Sequence, residues 1–155
     1  VWDTRYGPAV LAARRERLTA VTQAALRLVA VLTANAVPAE GDYTRVGEVL
    51  GLLAQEQDAL QAAISACPIP VAYTADGVVD PFARPLAGLV GRLAAVLVTY
   101  HGLYSIPDAL RAALAEDLDA LRLDAHALVA AAKDADRDLS AASVSSVADD
   151  SEDRR

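Results

Sequence analysis

Residues 108–136 read DALRAALAEDLDALRLDAHALVAAAKDAD, and the spacing of the apolar side chains in this stretch decides the fold class. Leu110, Leu114, Leu118, Leu121, Ala125, Leu128 and Ala132 recur at steps of three and four. A helix turns about 100° per residue, so these positions share one side and need a partner surface. The partners lie upstream. Leu11, Leu18, Val21, Ala25, Leu28 and Leu32 form one stripe, and Val46, Leu50, Leu53, Leu60 and Ile64 form another. Leu86, Leu89, Leu93, Val96, Tyr100 and Leu103 complete the set. Four amphipathic helices in a chain of 155 residues predict one all-α, up-and-down four-helix bundle.

Turn residues place the boundaries. Pro8 suits a first helical turn, so the first helix runs from about 8 to 36 and breaks at Pro38, Gly41 and Asp42. The second runs from about 43 to 66 and ends before Cys67-Pro68. A long connection, about 67–80, follows, with Asp76-Gly77 as a turn between Val71 and Val78. Its apolar residues are expected to cap the bundle end. The third helix spans about 82–103, with Gly102 as a stop. Ser105 and Asp108 have capping-box spacing ahead of the fourth, which continues to about 136. Trp2 and Tyr6 sit on a short arm expected to fold onto the bundle. Residues 1–139 thus read as the helical domain, and 140–155, small, polar and acidic, as a disordered tail.

Composition narrows the function classes. Ala occurs 35 times, which favours helix and allows close helix approach. The net charge of −7 argues against nucleic-acid binding, which needs a basic footprint to displace counterions. Charge is uneven: residues 108–155 hold twelve Asp or Glu against six Lys or Arg, while Arg14, Arg15, Arg17 and Arg27 lie near the start. That asymmetry predicts antiparallel first and last helices. Cys67 is the only cysteine, which excludes an internal disulfide and points to a reducing, cytoplasmic setting. No signal peptide is visible, since residues 1–17 hold four Arg and no long apolar core. Segments 18–37 and 85–104 approach the length of about 20 residues that spans a bilayer. Each carries a central Arg, Arg27 or Arg92, costing roughly 2.5–3.5 kcal/mol on insertion, so a membrane-embedded bundle ranks last among the readings.

Catalytic chemistry is sparse in the sequence. A di-metal bundle needs Glu on facing helices and Glu-x-x-His pairs, and none occurs. One Cys and two distant His do not make a zinc site, and no phosphate-binding Gly loop or Gly-x-Ser-x-Gly elbow is present. The sequence therefore predicts a non-enzyme without cofactor or metal. Asp124-Ala125-His126-Ala127-Leu128 resembles the phosphate-accepting segment of histidine phosphotransfer domains. The resemblance covers about three residues and implies phosphoryl transfer at His126; Val129 and Ala130 stand where those domains typically carry Lys and Gly. Another reading is a ligand pocket formed by Tyr100, His101 and Tyr104 with Tyr73, Cys67 and the 67–80 connection.

The reading that carries most weight is a protein-interaction or regulatory module. Gly47 and Gly51 are four apart on the second helix, and Ala87, Gly91 and Ala95 form a small-residue ridge on the third. A mid-helix Gly costs about 1 kcal/mol against Ala, so each is expected to relieve a close contact. The third helix also bears apolar residues on most of its circumference, more than one core accommodates. We therefore expect a partner protein or a second copy on this helix, with Ala87, Gly91, Leu93, Ala95, Gly47 and Gly51 at the interface.

Overall fold

The computed structural model describes residues 7–66 and 82–153. Four helices follow one another: α1 (Gly7–Ala34), α2 (Val46–Ala66), α3 (Ala83–Thr99) and α4 (Asp108–Asp153). Each packs beside its neighbours in the chain, and α4 returns to close against α1. This is the up-and-down four-helix bundle that the four stripes predict. The antiparallel pairing of α1 with α4 is seen directly: Arg15 Nη2 donates to Ser140 Oγ at 3.2 Å, across 125 residues of chain.

The core follows a heptad rhythm. On α4 the main buried line is Leu114, Leu118, Leu121, Ala125, Leu128, Ala132 and Ala135, alternating steps of four and three, with Val129 buried beside it. Leu18, Val21, Ala25, Leu28 and Leu32 do the same on α1, and Leu86, Leu89, Leu93, Val96 and Tyr100 on α3. That period suits helices crossing near 20° with interlocking side chains. Leu110 departs from the sequence reading. It lies in the first turn of α4 and is exposed, because the apolar layers begin one turn later, at Leu114.

The buried face of α2 is rotated from the one read from the sequence. Val46, Val49, Leu53, Leu60 and Ala63 are buried, whereas Leu50 and Ile64 are only partly covered. The reason lies in the packing. α2 lies more extensively against α1 than against α3, and the α2–α3 seam is the thinnest of the four. Glu56 stands, partly covered, at the remaining step of the buried rhythm of α2 and meets Arg27 of α1 at 3.5 Å.

One pole of the bundle is pinned by its turns. Gly41 (φ 76°) and Gly102 (φ 78°) adopt left-handed backbone, which lacks steric cost only for Gly. Tyr43 and Ile106, in the two turns, exchange backbone hydrogen bonds of 2.9 and 2.8 Å. Both side chains are buried. Asn35 ends α1: its amide donates to Val31 O at 2.7 Å and its oxygen accepts from Arg45 Nη2 at 2.9 Å. Ser105 does not cap α4. The helix starts at Asp108, and the Pro107 carbonyl accepts from Leu110 and Arg111 at 3.0 and 3.1 Å.

The α4 backbone continues to Asp153, past the boundary near 136, since no Pro or Gly stands between 108 and 155 to stop it. The expected tail from 140 onward falls, for its side chains beyond Ser140, outside the described residues. So do the 67–80 connection with Cys67 and Tyr73, and the arm with Trp2 and Tyr6.

Two buried tyrosines make the pole sensitive to base. The Tyr100 hydroxyl donates to Asp117 Oδ2 at 2.7 Å, tying the end of α3 to α4. Burial, then the bond to Asp117 and its charge, push the Tyr100 phenol from 10.0 up to about 12. The unfolded chain therefore loses this proton first as pH rises. The stabilisation is complete below pH 10 and is lost progressively up to about pH 12. Urea midpoints measured between pH 9 and pH 12 are expected to fall over that window, and to fall less steeply in Tyr100→Phe.

Tyr43 is also raised, by burial first, with Arg45 opposing and Glu48 reinforcing. Its hydroxyl is buried with no hydrogen-bond partner. Tyr43→Phe keeps the ring and removes that unsatisfied group. It is expected to raise unfolding free energy by about 1 kcal/mol, read from urea denaturation at neutral pH.

Candidate functional site

The outer side of α3 is where sequence and packing disagree with a purely internal role. Leu86, Leu89, Leu93 and Val96 turn into the core. Arg84, Gly91 and Val98 lie on the opposite line, seven residues apart, with Ala87, Gly88 and Ala95 beside them, and all six are exposed. Val98 is 77% exposed. Val90 and Leu97, between the two faces, are partly covered at the thin α2–α3 seam.

The glycines separate internal from external causes. A Cβ placed on Gly47 would lie 3.2 Å from Tyr104 Cδ1, so Gly47 makes room for that ring within the chain. A Cβ on Gly51, Gly88 or Gly91 meets nothing within 4 Å. Among the described residues no packing inside the bundle requires them to be Gly. Of the interface candidates, Ala87, Gly91 and Ala95 are outward, Gly51 is outward on α2, and Gly47 is used internally. Leu93 is a correction: at 0% exposure it is a core residue, because its heptad step places it in line with Leu86 and Leu89.

Two hollows border this face along the α2–α3 seam. One, of about 380 Å³, is lined by Gln57, Ala94, Leu97, Val98 and His101. The other, of about 390 Å³, lies nearer the start of α3, with Ile64, Leu86, Val90 and Gly91 among its walls. They exist because the seam is thin and small residues line it.

Charge on this side is poorly matched within the chain. Arg84 sits in the first turn of α3, the positive end of the helix dipole; that turn holds no acidic residue, and the last turn no basic one. Among the described residues neither Arg84 nor Asp58, which is exposed on the outward line of α2 with Gly51, takes part in an ion pair or side-chain hydrogen bond. Arg92, by contrast, is held by Asp124 of α4.

The ligand pocket expected around Tyr100, His101 and Tyr104 is not assembled. Tyr100 is buried and bonded to Asp117, Tyr104 lies over Gly47 and is 83% exposed, and His101 borders the seam hollow. The end of α2 at Ala66 and the start of α3 at Ala83 lie at the opposite pole from Tyr100. Cys67 and Tyr73 lie outside the described residues.

His126 is exposed on α4. Val129, one turn on, is nearly buried, and Arg122, one turn before, is engaged with Asp119, so neither supplies a waiting cation for a phosphoryl group. Among the described residues no group of His, Cys, Asp or Glu is arranged to hold a metal ion. One helix segment, Ala12–Ala34, is long and apolar enough to cross a membrane; its apolar stripe is the one that lines the bundle core. Comparison of the chain with protein-family models, with curated proteins and with solved structures yields no significant match.

Proposed function

We propose that the protein is a non-catalytic helical interaction module that associates with a second copy of itself through the outer face of α3. The observation that carries this reading is the pair Gly88 and Gly91. Each sits inside a helix, where Gly costs about 1 kcal/mol against Ala, and neither is required by any contact among the described residues. A close approach from outside supplies the missing reason. Gly and Ala along the ridge let a second helix come near, and Val98 offers it apolar area that the core leaves uncovered.

The test is the mass in detergent-free solution over a range of concentrations, by light scattering on a sizing column. A mass that rises from one copy to two with concentration supports the reading. A single copy at every concentration overturns it and leaves the seam hollows at His101 as the next surface to probe with ligands.

A further inference from the structure

We infer that the groove between α1 and α4 is a binding site for a free α-amino acid with a bulky apolar side chain, held as its zwitterion. The groove lies on the side of the bundle opposite the α2–α3 seam, so the site is independent of the pairing of two copies. It contains a hollow of about 550 Å³, larger than either seam hollow and within the roughly 300–1,000 Å³ usual for small ligands. Leu18 and Ala132, both buried, supply its apolar floor. Thr19, Thr22 and Gln23 of α1 and Lys133 and Asp136 of α4 supply its polar walls.

The polar groups select the ligand. Gln23, Lys133 and Asp136 take part in no side-chain hydrogen bond or ion pair among the described residues. Elsewhere on α4, Asp108, Asp119 and Asp134 each hold the Arg three residues on, so Arg137 beside the hollow is already engaged. Lys133 and Asp136 have the same spacing in the reverse order, the less favourable one on a helix, and form no pair. One cation and one anion thus stand side by side on the hollow. The Thr19 and Thr22 hydroxyls donate to Arg15 O and Leu18 O at 3.0 and 2.8 Å, so towards a ligand each can only accept. Lys133 and Gln23 therefore offer donors to a carboxylate, and Asp136, Thr19 and Thr22 offer acceptors to an ammonium. A simple anion would meet the Asp136 carboxylate and two oxygens with no hydrogen to give, and a simple amine would meet Lys133. A zwitterion matches both signs, and its apolar side chain covers Leu18 and Ala132.

Nuclear magnetic resonance titration of the full chain with L-phenylalanine tests the site. The backbone amide signals of Thr22, Gln23, Lys133 and Asp136 are expected to shift and to saturate. N-acetyl-L-phenylalanine keeps the ring and carboxylate but lacks the ammonium. L-phenylalaninamide, at mildly acidic pH, keeps the ring and ammonium but lacks the carboxylate. Each is expected to bind at least about threefold more weakly than L-phenylalanine, the scale of one exposed ion pair. Lys133→Ala and Asp136→Asn replace exposed side chains, so both variants are expected to fold. Lys133→Ala is expected to weaken L-phenylalanine about three- to fivefold while L-phenylalaninamide binds no more weakly than before. Asp136→Asn is expected to weaken L-phenylalanine to a similar degree while N-acetyl-L-phenylalanine binds no more weakly than before. The absence of a saturating shift at these amides with L-phenylalanine would overturn the site. Either analogue binding as tightly as the amino acid, or both variants binding it unchanged, would leave apolar contact alone and overturn the zwitterion assignment. Shifts confined to the surroundings of His101 would move ligand binding to the α2–α3 seam and overturn the inference as well.

Discussion

Leu93→Ala is expected to lower the unfolding free energy by about 2–5 kcal/mol, the range for emptying a leucine-sized space in a packed core. Leu93 is completely buried midway along α3. The adjacent Arg92 is tied to Asp124 of α4, which sets Leu93 near the height of Leu121 and Ala125. With Ala at several layer positions of the bundle, the helix backbones already lie close, and few long side chains are available to swing into a new cavity. The cost therefore belongs in the upper part of the range. For a domain whose total stability is about 5–15 kcal/mol, this is a large share. Urea denaturation reads it, and light scattering on the folded fraction gives the complementary result. The proposed dimer is expected to persist, since Leu93 faces away from the outer line. A variant that folds normally but fails to associate would move Leu93 to the interface and rotate α3 in the bundle.

That residue also marks how far the sequence can be read. Apolar period alone identified four helices and their inner faces, because burial imposes the period and the stripes of α1, α3 and α4 are nearly regular. It misjudged α2, where Leu50 and Ile64 looked as eligible as Val49 and Ala63. The choice between two apolar lines one residue apart is made by which neighbour packs more closely. That is a property of the whole bundle and not of the segment. Leu110 failed for a related reason: the period continues past the point where the core begins.

At the candidate site the small-residue ridge on α3 was visible as a pattern, but its direction was not. A Gly is silent about which side needs the space. Gly47 answers to Tyr104 inside the chain, while Gly91 answers to nothing inside it, and only the placement of neighbouring atoms separates the two. Of the residues read as a pocket, Tyr100, His101 and Tyr104 do not line one hollow together, and the start of α3 at Ala83 lies at the pole opposite Tyr100, which the up-and-down order already contains. The pairing of Tyr43 with Ile106 left no period at all, because each contributes two backbone hydrogen bonds from within a turn.

Gly91→Glu is expected to separate folding from association in the opposite sense to Leu93→Ala. A Cβ at position 91 meets nothing within 4 Å among the described residues, and the position is exposed, so no clash opposes it. Glu favours helix over Gly, and the variant is expected to gain up to about 1 kcal/mol of stability, read as a higher urea midpoint. In the proposed dimer the same position lies on the outer face of α3, against the second copy. Two carboxylates and their stems would then stand where the backbones must come closest, combining bulk with like-charge repulsion. Association is expected to weaken at least about tenfold, equivalent to about 1.4 kcal/mol. Gly91→Ala isolates the helix preference: it carries a similar gain in stability with a single methyl group, and its loss of association is expected to be smaller. Added salt screens the charge but not the bulk, so Gly91→Glu is expected to recover only part of its association at high ionic strength. Gain in stability with loss of association can arise only if the glycine is kept for a contact outside its own chain. Undiminished association in Gly91→Glu would mean that the outer line of α3 faces water in the dimer as well.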